Sequence, residues 1–313
     1  MDGWTDVALR EILTENVLYK PDLFYTEFIH VDALNQERIN SERILQFTEK
    51  QRPIIAQLFG NNPEDFYRAT KRIVELDFDG VDLNLGCSTR KIIKNRDGAG
   101  LIGEYELVEE IIESIKDGFS QRNDFIFSIK TRLGVDRNIA NEWITYLASK
   151  APDYITVHGR LAVNLMRGEA NWDPIYKLAE NLDIPIIGNG DIKSISEGEK
   201  ILERSKLAGI MIGRHFRSFI SDKSNADNGN LNETEDIKND KLLIQKSLEY
   251  LEVHKEKLLR YFKNERLSII TTRKVILTLL KGVSISKNAK KKLLKSKSYT
   301  DTKNLLTSLL NNE

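Results

Sequence analysis

From residue 23 to about 214 the chain alternates short apolar runs of β type with longer segments of helical period, and no other feature constrains its fold as strongly. The β-type runs are 24–30, 53–58, 80–85, 125–130, 154–158, 184–189 and 209–213. Between them, 41–50, 63–76, 104–115, 139–150 and 197–204 read as helices, and Pro63 with the acidic residues after it marks an N-terminal first turn. Repeated βα units build a parallel sheet with helices packed on it, so the fold class is α/β. The chain is long enough for a TIM (β/α)8 barrel of roughly 250 residues. Seven runs leave such a barrel one strand short. Because the chain opens on Asp2-Gly3 and passes at once into a helical pattern, Val7 to Leu13, the missing first strand is expected before Met1. A seven-stranded or open sheet is the alternative.

The alternation ends at a polar stretch. Residues 221–240 are almost devoid of apolar side chains and rich in Asn and Asp, which suits a flexible linker or insertion. Beyond it, Leu242, Leu243, Leu248, Leu251, Leu258, Leu259 and Phe262 recur at helical spacing, followed by helical segments at 268–281 and 287–310. The expected organisation is a catalytic barrel over 1–220, a linker over 221–240 and an all-helical module over 241–313.

Charge divides the chain at the same place. Lys+Arg and Asp+Glu both number 47, a formal net charge of zero. From Lys241 onward, however, 17 Lys and Arg face 6 Asp and Glu, a net +11 that the first 240 residues offset with −11. Lys290, Lys291, Lys292, Lys295 and Lys297 crowd into one segment. A lysine run is more often a solvated helix face than a binding site, yet an excess of this size on one module suits a polyanionic partner.

Composition excludes several classes. With 40% hydrophobic and 30% charged residues, and no apolar run approaching the roughly 20 residues that span a bilayer, a membrane bundle is ruled out. Cys87 is the single cysteine, so no internal disulfide forms, and no paired Cys/His spacing suggests a metal site. The N-terminus has neither a basic flank nor an apolar stretch, and a cytoplasmic location is expected.

Catalytic groups of a βα barrel lie at the C-terminal ends of its strands. Here those ends carry Gln57, Asn84-Leu85-Gly86-Cys87, Lys130-Thr131-Arg132, His158-Gly159-Arg160, Gly188-Asn189-Gly190-Asp191 and Gly213-Arg214. Each has a plain structural explanation: a snorkelling lysine, a core histidine, a tight glycine turn, a buried inert thiol. Six successive strand ends of this kind exceed what packing asks for. The last two belong to the loops that commonly bind phosphate in this fold, where glycines admit an anion to backbone N–H groups and Arg214 can fork onto it. Lys130 and His158 end neighbouring strands, and a cation there suits the pyrimidine edge of a flavin. Cys87 lies in a Gly-rich loop at the barrel mouth with no evident base partner. A thiol of pKa ~8.5 is protonated at neutral pH, which favours a general acid over a nucleophile.

In this order, the segments MDGWTD, PIIAQLFG, GVDLNLGC, GAGLIG, SIKTRLG, ITVHGR, GEANW, IPIIGNGDI and GIMIGR resemble the tRNA-dihydrouridine synthases, flavin-dependent enzymes that reduce uridines in tRNA. The resemblance covers most of the chain. It implies an FMN-binding barrel followed by a helical tRNA-binding domain, with NADPH or NADH as reductant. It further implies that Met1, Asp2 and Gly3 form the first flavin-contacting loop, and that Gln57, Lys130, His158, Asn189, Gly190, Asp191, Gly213 and Arg214 hold FMN. Cys87 matches the proton donor and Asn84 the asparagine that holds the target uracil, while Lys91 and Arg132 match further contacts to RNA or base. The sequence departs from the family pattern at Ser88, where proline usually follows the cysteine, and after Arg214, where a Pro-aromatic continuation is replaced by the polar stretch. A monomer without metal is expected. Two other readings stay open: an FMN barrel oxidoreductase acting on a small pyrimidine or other small molecule, and a flavin-free RNA-binding relative.

Overall fold

The computed structural model describes residues 3–15, 17–221 and 233–311, the side chains of 233–238 excepted. The chain forms two compact units, one from Phe28–Ser41 and Pro53–Gly213, the other from Met1–Glu27, Glu42–Arg52 and Arg214–Glu313. Among the described residues no helix is long and apolar enough to cross a membrane.

The first unit is the βα unit. After the two-residue strand β1 (Phe24–Tyr25), which lies in the other unit, come β2 (Ile29–His30), β3 (Ile54–Phe59), β4 (Gly80–Asn84), β5 (Ile126–Arg132), β6 (Tyr154–His158), β7 (Ile186–Asn189) and β8 (Gly209–Met211). From β2 to β8 each strand pairs with the next, always in parallel. Parallel neighbours require a crossover, and the helices between the strands supply it. All five residues of β4 are buried, as befits a strand covered on both faces. The α/β class expected from the alternation is the class observed, with a helical region at the C-terminal end.

Local chemistry explains where the helices start and which face they bury. Helix Pro63–Glu75 opens with Asn62, whose side chain accepts the Asp65 N–H at 3.0 Å, with Pro63 in its first turn and Glu64 and Asp65 beside the positive end of the helix dipole. Phe66, Ala69, Thr70 and Ile73 form its buried stripe at spacings of three and four. Helices Tyr105–Phe119, Ala140–Ser149 and Ile195–Glu203 stand where helical period was expected, within a few residues at each end.

Two expected elements differ. The run 24–30 is broken into β1 and β2, because Glu27 interrupts it with a fully buried carboxylate that pairs with Arg43 at 3.1 Å. The segment 41–50 holds only the end of helix Ile39–Ile44 and a 3-10 turn at Glu49–Gln51. The Gln46 carbonyl accepts Nη2–H of the buried Arg10 at 2.5 Å instead of continuing a helical ladder.

The second unit is helical. Its main elements are Val7–Ile12, Glu233–Leu258, Glu265–Leu279, Lys287–Lys295 and Tyr299–Leu310. Residues 222–232 of the expected linker lie outside the described residues, and 233–240 form the start of the long helix. Asn264, Ser286 and Ser298 cap the three helices that follow it, each side chain accepting an N–H three residues on. Ser298 also divides the expected 287–310 segment into two helices. Between those two lies an open groove of about 650 Å³ lined by Lys291, Lys292, Lys295, Asn304 and Ser308.

The core of the helical unit is polar at its centre. Tyr250 donates to Asp6 Oδ2 at 3.0 Å, His254 Nδ1 lies 2.6 Å from the Tyr299 hydroxyl, and Thr271 Oγ1 lies 3.2 Å from His254 Nε2. Burial pushes the His254 imidazole down to about 3, so it is neutral, and its 3.8 Å approach to Asp6 is a polar contact rather than an ion pair. Burial, with Glu27 adding to it, raises the Asp6 carboxyl to about 6. These two shifts act oppositely on stability. Between about 3 and the unfolded value near 6.5 the unfolded chain holds the His254 proton more tightly, so the His254 contribution is complete above pH 6.5 and declines as pH falls. Asp6 is protonated more readily in the folded state between 3.8 and about 6, so its contribution moves the other way. A wild-type/His254→Gln comparison cancels Asp6. We predict that the wild-type advantage in denaturant unfolding shrinks by about 3 kcal/mol between pH 7 and pH 4.5, at about 1.4 kcal/mol per unit. An advantage that does not change with pH would contradict the neutral, buried imidazole.

Candidate active site

The site grows from the register of five strands, β3 to β7. Gln57 on β3 lies opposite Asp82 on β4, and Asp82 opposite Ser128 on β5. Two residues further along, on the same face, Asn84 lies opposite Lys130. Arg132 then lies opposite His158, and His158 opposite Asn189. Strand pairing alone therefore gathers six of the sequence-predicted residues.

Hydrogen bonds connect the lower rows in one direction. The Asp82 carboxylate accepts from Gln57 Nε2 at 2.8 Å and from Ser128 Oγ at 2.7 Å. With its amide nitrogen so committed, Gln57 offers Oε1 to Asn84 Nδ2 at 2.9 Å. Asn84 in turn presents Oδ1 to the backbone N–H groups of Gly86 and Cys87, at 2.9 and 3.0 Å. All of these side chains but Ser128 and Asp82 were expected in the site; Asp82 and Ser128 are fully buried beneath it. Burial pushes the Asp82 carboxyl up and the Lys130 ammonium down, and each opposes the other's shift by favouring the charged form of its partner.

Cys87 is half-buried, at the turn that follows β4. Its carbonyl accepts the Ala99 N–H at 3.0 Å. Gly98, at φ +53°, packs against it so closely that an added Cβ would lie 3.1 Å from Cys87 O and 3.2 Å from Cys87 Cβ. That approach and that backbone angle both favour glycine. From the other side, Arg132 brackets the loop: Nε donates to Gly86 O at 2.7 Å, and Nη1 to Leu161 O and Leu165 O at 3.3 and 3.1 Å. Arg132 therefore ties the loops after β4 and β6 together with its guanidinium. Desolvation lowers it to about 10, a value that still leaves it a cation. Arg132 and Lys130 both interact electrostatically with Cys87, so a thiolate formed there is stabilised.

The far side of the site is held by Arg160. Its Nη2 donates to both carboxylate oxygens of Asp191, at 2.7 and 2.5 Å, and to Gly168 O at 2.6 Å. Its Nη1 lies 3.2 Å from His158 Nε2. A guanidinium has only donors, so His158 Nε2 is the acceptor and the ring proton sits on Nδ1. Asp191 adopts φ +56°, a strained value for a residue with a side chain, and is held there by Arg160 and by the Ala170 N–H at 2.8 Å. At Gly190, φ +131°, a Cβ would come within 2.7 Å of Ala170 Cβ and 3.1 Å of His158 Cδ2.

The donor set of the site is compatible with the ring of a flavin. Lys130 is half-buried and makes one hydrogen bond among the described residues, from Nζ to Asn189 Oδ1 at 3.3 Å, of the three that an ammonium can donate. Thr156, opposite Lys130 in the register, has a buried hydroxyl with no partner among the described residues. Asn189 is oriented by donating from Nδ2 to Met211 O at 2.7 Å. The spare N–H groups of Lys130 and the unpartnered Thr156 hydroxyl, near a glycine where Ala170 and His158 leave no room for a side chain, suit an anionic and hydrogen-bonding ring system.

Of the expected residues, Gln57, Asn84, Cys87, Lys130, Arg132, His158, Asn189, Gly190, Asp191 and Gly213 all lie in the βα unit. Lys91 is in the same unit, exposed on helix Arg90–Lys94. Gly3 and Arg214 belong to the helical unit, where the Gly3 N–H donates to Glu27 Oε1 at 2.5 Å. Met1 and Asp2 lie outside the described residues. Among the described residues no cluster of His, Cys, Asp or Glu could hold a metal ion. Sequence reasoning gave no role to Asp82, Arg160 or Gly98. The available signal for Asp82 was a charge inside an otherwise apolar strand, two residues before Asn84 and hence on its face.

Comparison with known proteins gives the family of the chain. A probable tRNA-dihydrouridine synthase 2 of Bacillus subtilis is 33% identical over 222 residues, covering 68% of this chain. A probable tRNA-dihydrouridine synthase of Staphylococcus aureus is 30% identical over 224 residues, again covering 68% of this chain. Each match spans 66% of the relative's own length, just under two thirds. Among solved structures, the histamine dehydrogenase of a Rhizobium species matches 79% of this chain and 47% of its own at 12% identity, with a TM-score of 0.49. Dihydrouridine synthase (Dus) is the family whose model matches residues 1–312, and the chain belongs to that family.

Proposed function

We propose that this protein reduces the 5,6 double bond of uridines in tRNA, with FMN held by the βα unit, NADPH as reductant, and the basic helical unit engaging the RNA. The observation that carries the proposal is the convergence of Gln57, Asn84, Lys130, His158 and Asn189 on one mouth, with the Cys87 loop fastened to Asn84 at its edge. When bound, the flavin supplies hydride transfer between nicotinamide and the uracil ring.

The chain's own residues supply the rest. Cys87 holds the proton on Sγ that is delivered to uracil C5, and the nearby Lys130 and Arg132 stabilise the thiolate left behind. With a flavin bound, the spare N–H groups of Lys130 would stabilise negative charge developing on its pyrimidine ring. The Gly190-Asp191 turn and Gly213 would hold the flavin's phosphate. Arg214, Met1, Asp2 and Gly3 are assigned to the same cofactor by the family pattern, as Asn84 and Lys91 are to the RNA and its target base. A uridine stacked within folded tRNA must leave its stack to reach this mouth, at a cost of a few kcal/mol. Phosphate contacts made by the groove lined by Lys291, Lys292 and Lys295 offset that cost.

The test is anaerobic. Protein loaded with FMN and reduced by NADPH is mixed with tRNA lacking dihydrouridine, and flavin reoxidation is followed by absorbance. Reoxidation by tRNA, steeply weakened by added salt, and none by uracil or orotate is the expected result. Reoxidation by the free pyrimidines alone would assign the chain to small-molecule chemistry, and a protein that takes up no flavin would assign it to RNA binding only.

A further inference from the structure

The direction of the hydrogen bonds beneath the site has a consequence for Cys87. A carboxylate can only accept, so Asp82 compels Gln57 to point its amide nitrogen inward and its Oε1 toward Asn84. Asn84 must then donate to Gln57, which leaves Oδ1, and only Oδ1, facing Gly86 and Cys87. A reversed Gln57 would set its NH2 against that of Asn84 and press Asn84 to reverse as well; a reversed Asn84 would turn its NH2 to the two backbone N–H groups, and the loop would lose both of its bonds to Asn84. Neither amide has an intrinsic preference, because the two ends of a carboxamide are nearly equal in size. The loop N–H groups ask for the oxygen of Asn84 from one end, and Asp82, fully buried and three hydrogen bonds away, enforces the same order from the other.

We infer that Asp82 is a positioning residue: through Gln57 and Asn84 it sets the amide polarity that holds the Cys87 loop in place. The inference rests on the reading of Asn84 and Cys87 given above, but the geometry it concerns exists without RNA or flavin. Ser128 contributes less, since its hydroxyl can donate or accept and so imposes no direction.

The test uses the full chain without cofactor or RNA. Hydrogen exchange is read at the amides of Gly86 and Cys87, and alkylation by iodoacetamide at Cys87, which as the only cysteine labels at one position. In Asp82→Leu, which removes the acceptor and admits no water in its place, exchange at both amides is expected to rise at least tenfold and alkylation at least threefold, with wild-type protection kept in helix Pro63–Glu75. Asp82→Asn retains an oxygen for Gln57 and can turn its amide nitrogen to the Ser128 hydroxyl, so both readouts should return to within about twofold of wild type. If Asp82→Leu does not fold, Asp82→Ala is read in the same way. Wild-type exchange and alkylation in the folded Leu or Ala variant would overturn the inference. So would equal loosening in the disruptive variant and Asp82→Asn, because charge rather than acceptor direction would then be the cause. Neither readout depends on what the enzyme reduces, so an error in the proposed substrate leaves this result unchanged.

Discussion

Replacing Cys87 by alanine is expected to lower dihydrouridine formation about a thousandfold, within the range set by loss of a positioned general acid. FMN binding and flavin reduction by NADPH should persist. The loop is held through the Cys87 N–H and C=O, to Asn84 and Ala99, and alanine keeps both. Cys87→Ser should fare little better, since a hydroxyl is a far weaker acid than a thiol at neutral pH. Uridine reduction is measured by nucleoside mass after digestion, and flavin reduction by loss of absorbance. Undiminished turnover on tRNA by Cys87→Ala would remove the thiol from the chemistry.

The second large effect is expected at Arg160. Its side chain is only 3% exposed and serves Asp191, Gly168 and the His158 ring together. Asp191, with 31% of its side chain exposed and the Ala170 N–H still bonded to it, keeps part of its solvation when Arg160 is removed, so the main loss is that of charge-assisted hydrogen bonds, at roughly 1.5–3 kcal/mol. Arg160→Met should therefore lose about 2 kcal/mol in unfolding experiments. Because Asp191 is released from a strained turn in the proposed flavin site, FMN should also bind about a hundredfold more weakly by fluorescence titration. Arg160→Lys should recover little, as an ammonium cannot fork onto a carboxylate and reach the imidazole at once. An FMN affinity within threefold of wild type in Arg160→Met would show that the 189–191 turn does not hold the cofactor.

Much of the βα unit was legible in the sequence because its signals are local. Polar residues at the ends of apolar runs stand out, and parallel pairing in chain order brings those ends together without further information. Lys130 and Asn189 meet for that reason, although 59 residues separate them. Asp82 was legible as a charge in a strand but not as an anchor, since its role depends on which partners the register places beside it. Gly98 gave no local sign of its approach to Cys87, a contact fixed only when the following helix and turn are folded.

The helical unit was less legible, and for a physical reason. Helical period and capping serines mark its later helices, but its polar centre joins Asp6 to Tyr250 and His254, and its buried Arg10 meets Gln46 and Gln51. Such pairings bridge distant stretches of chain, and no periodicity announces them. The same holds for Glu27, which reads as part of a β run and serves instead as the buried partner of Arg43.

The most direct test of the account is the mass of tRNA nucleosides after incubation with the FMN-loaded protein and NADPH. The account predicts that wild-type protein converts specific uridines to a product two mass units heavier, and that Cys87→Ala, though its flavin is reduced at the wild-type rate, yields almost none. Unchanged tRNA with the wild-type protein, while NADPH is consumed by a free pyrimidine, would contradict it.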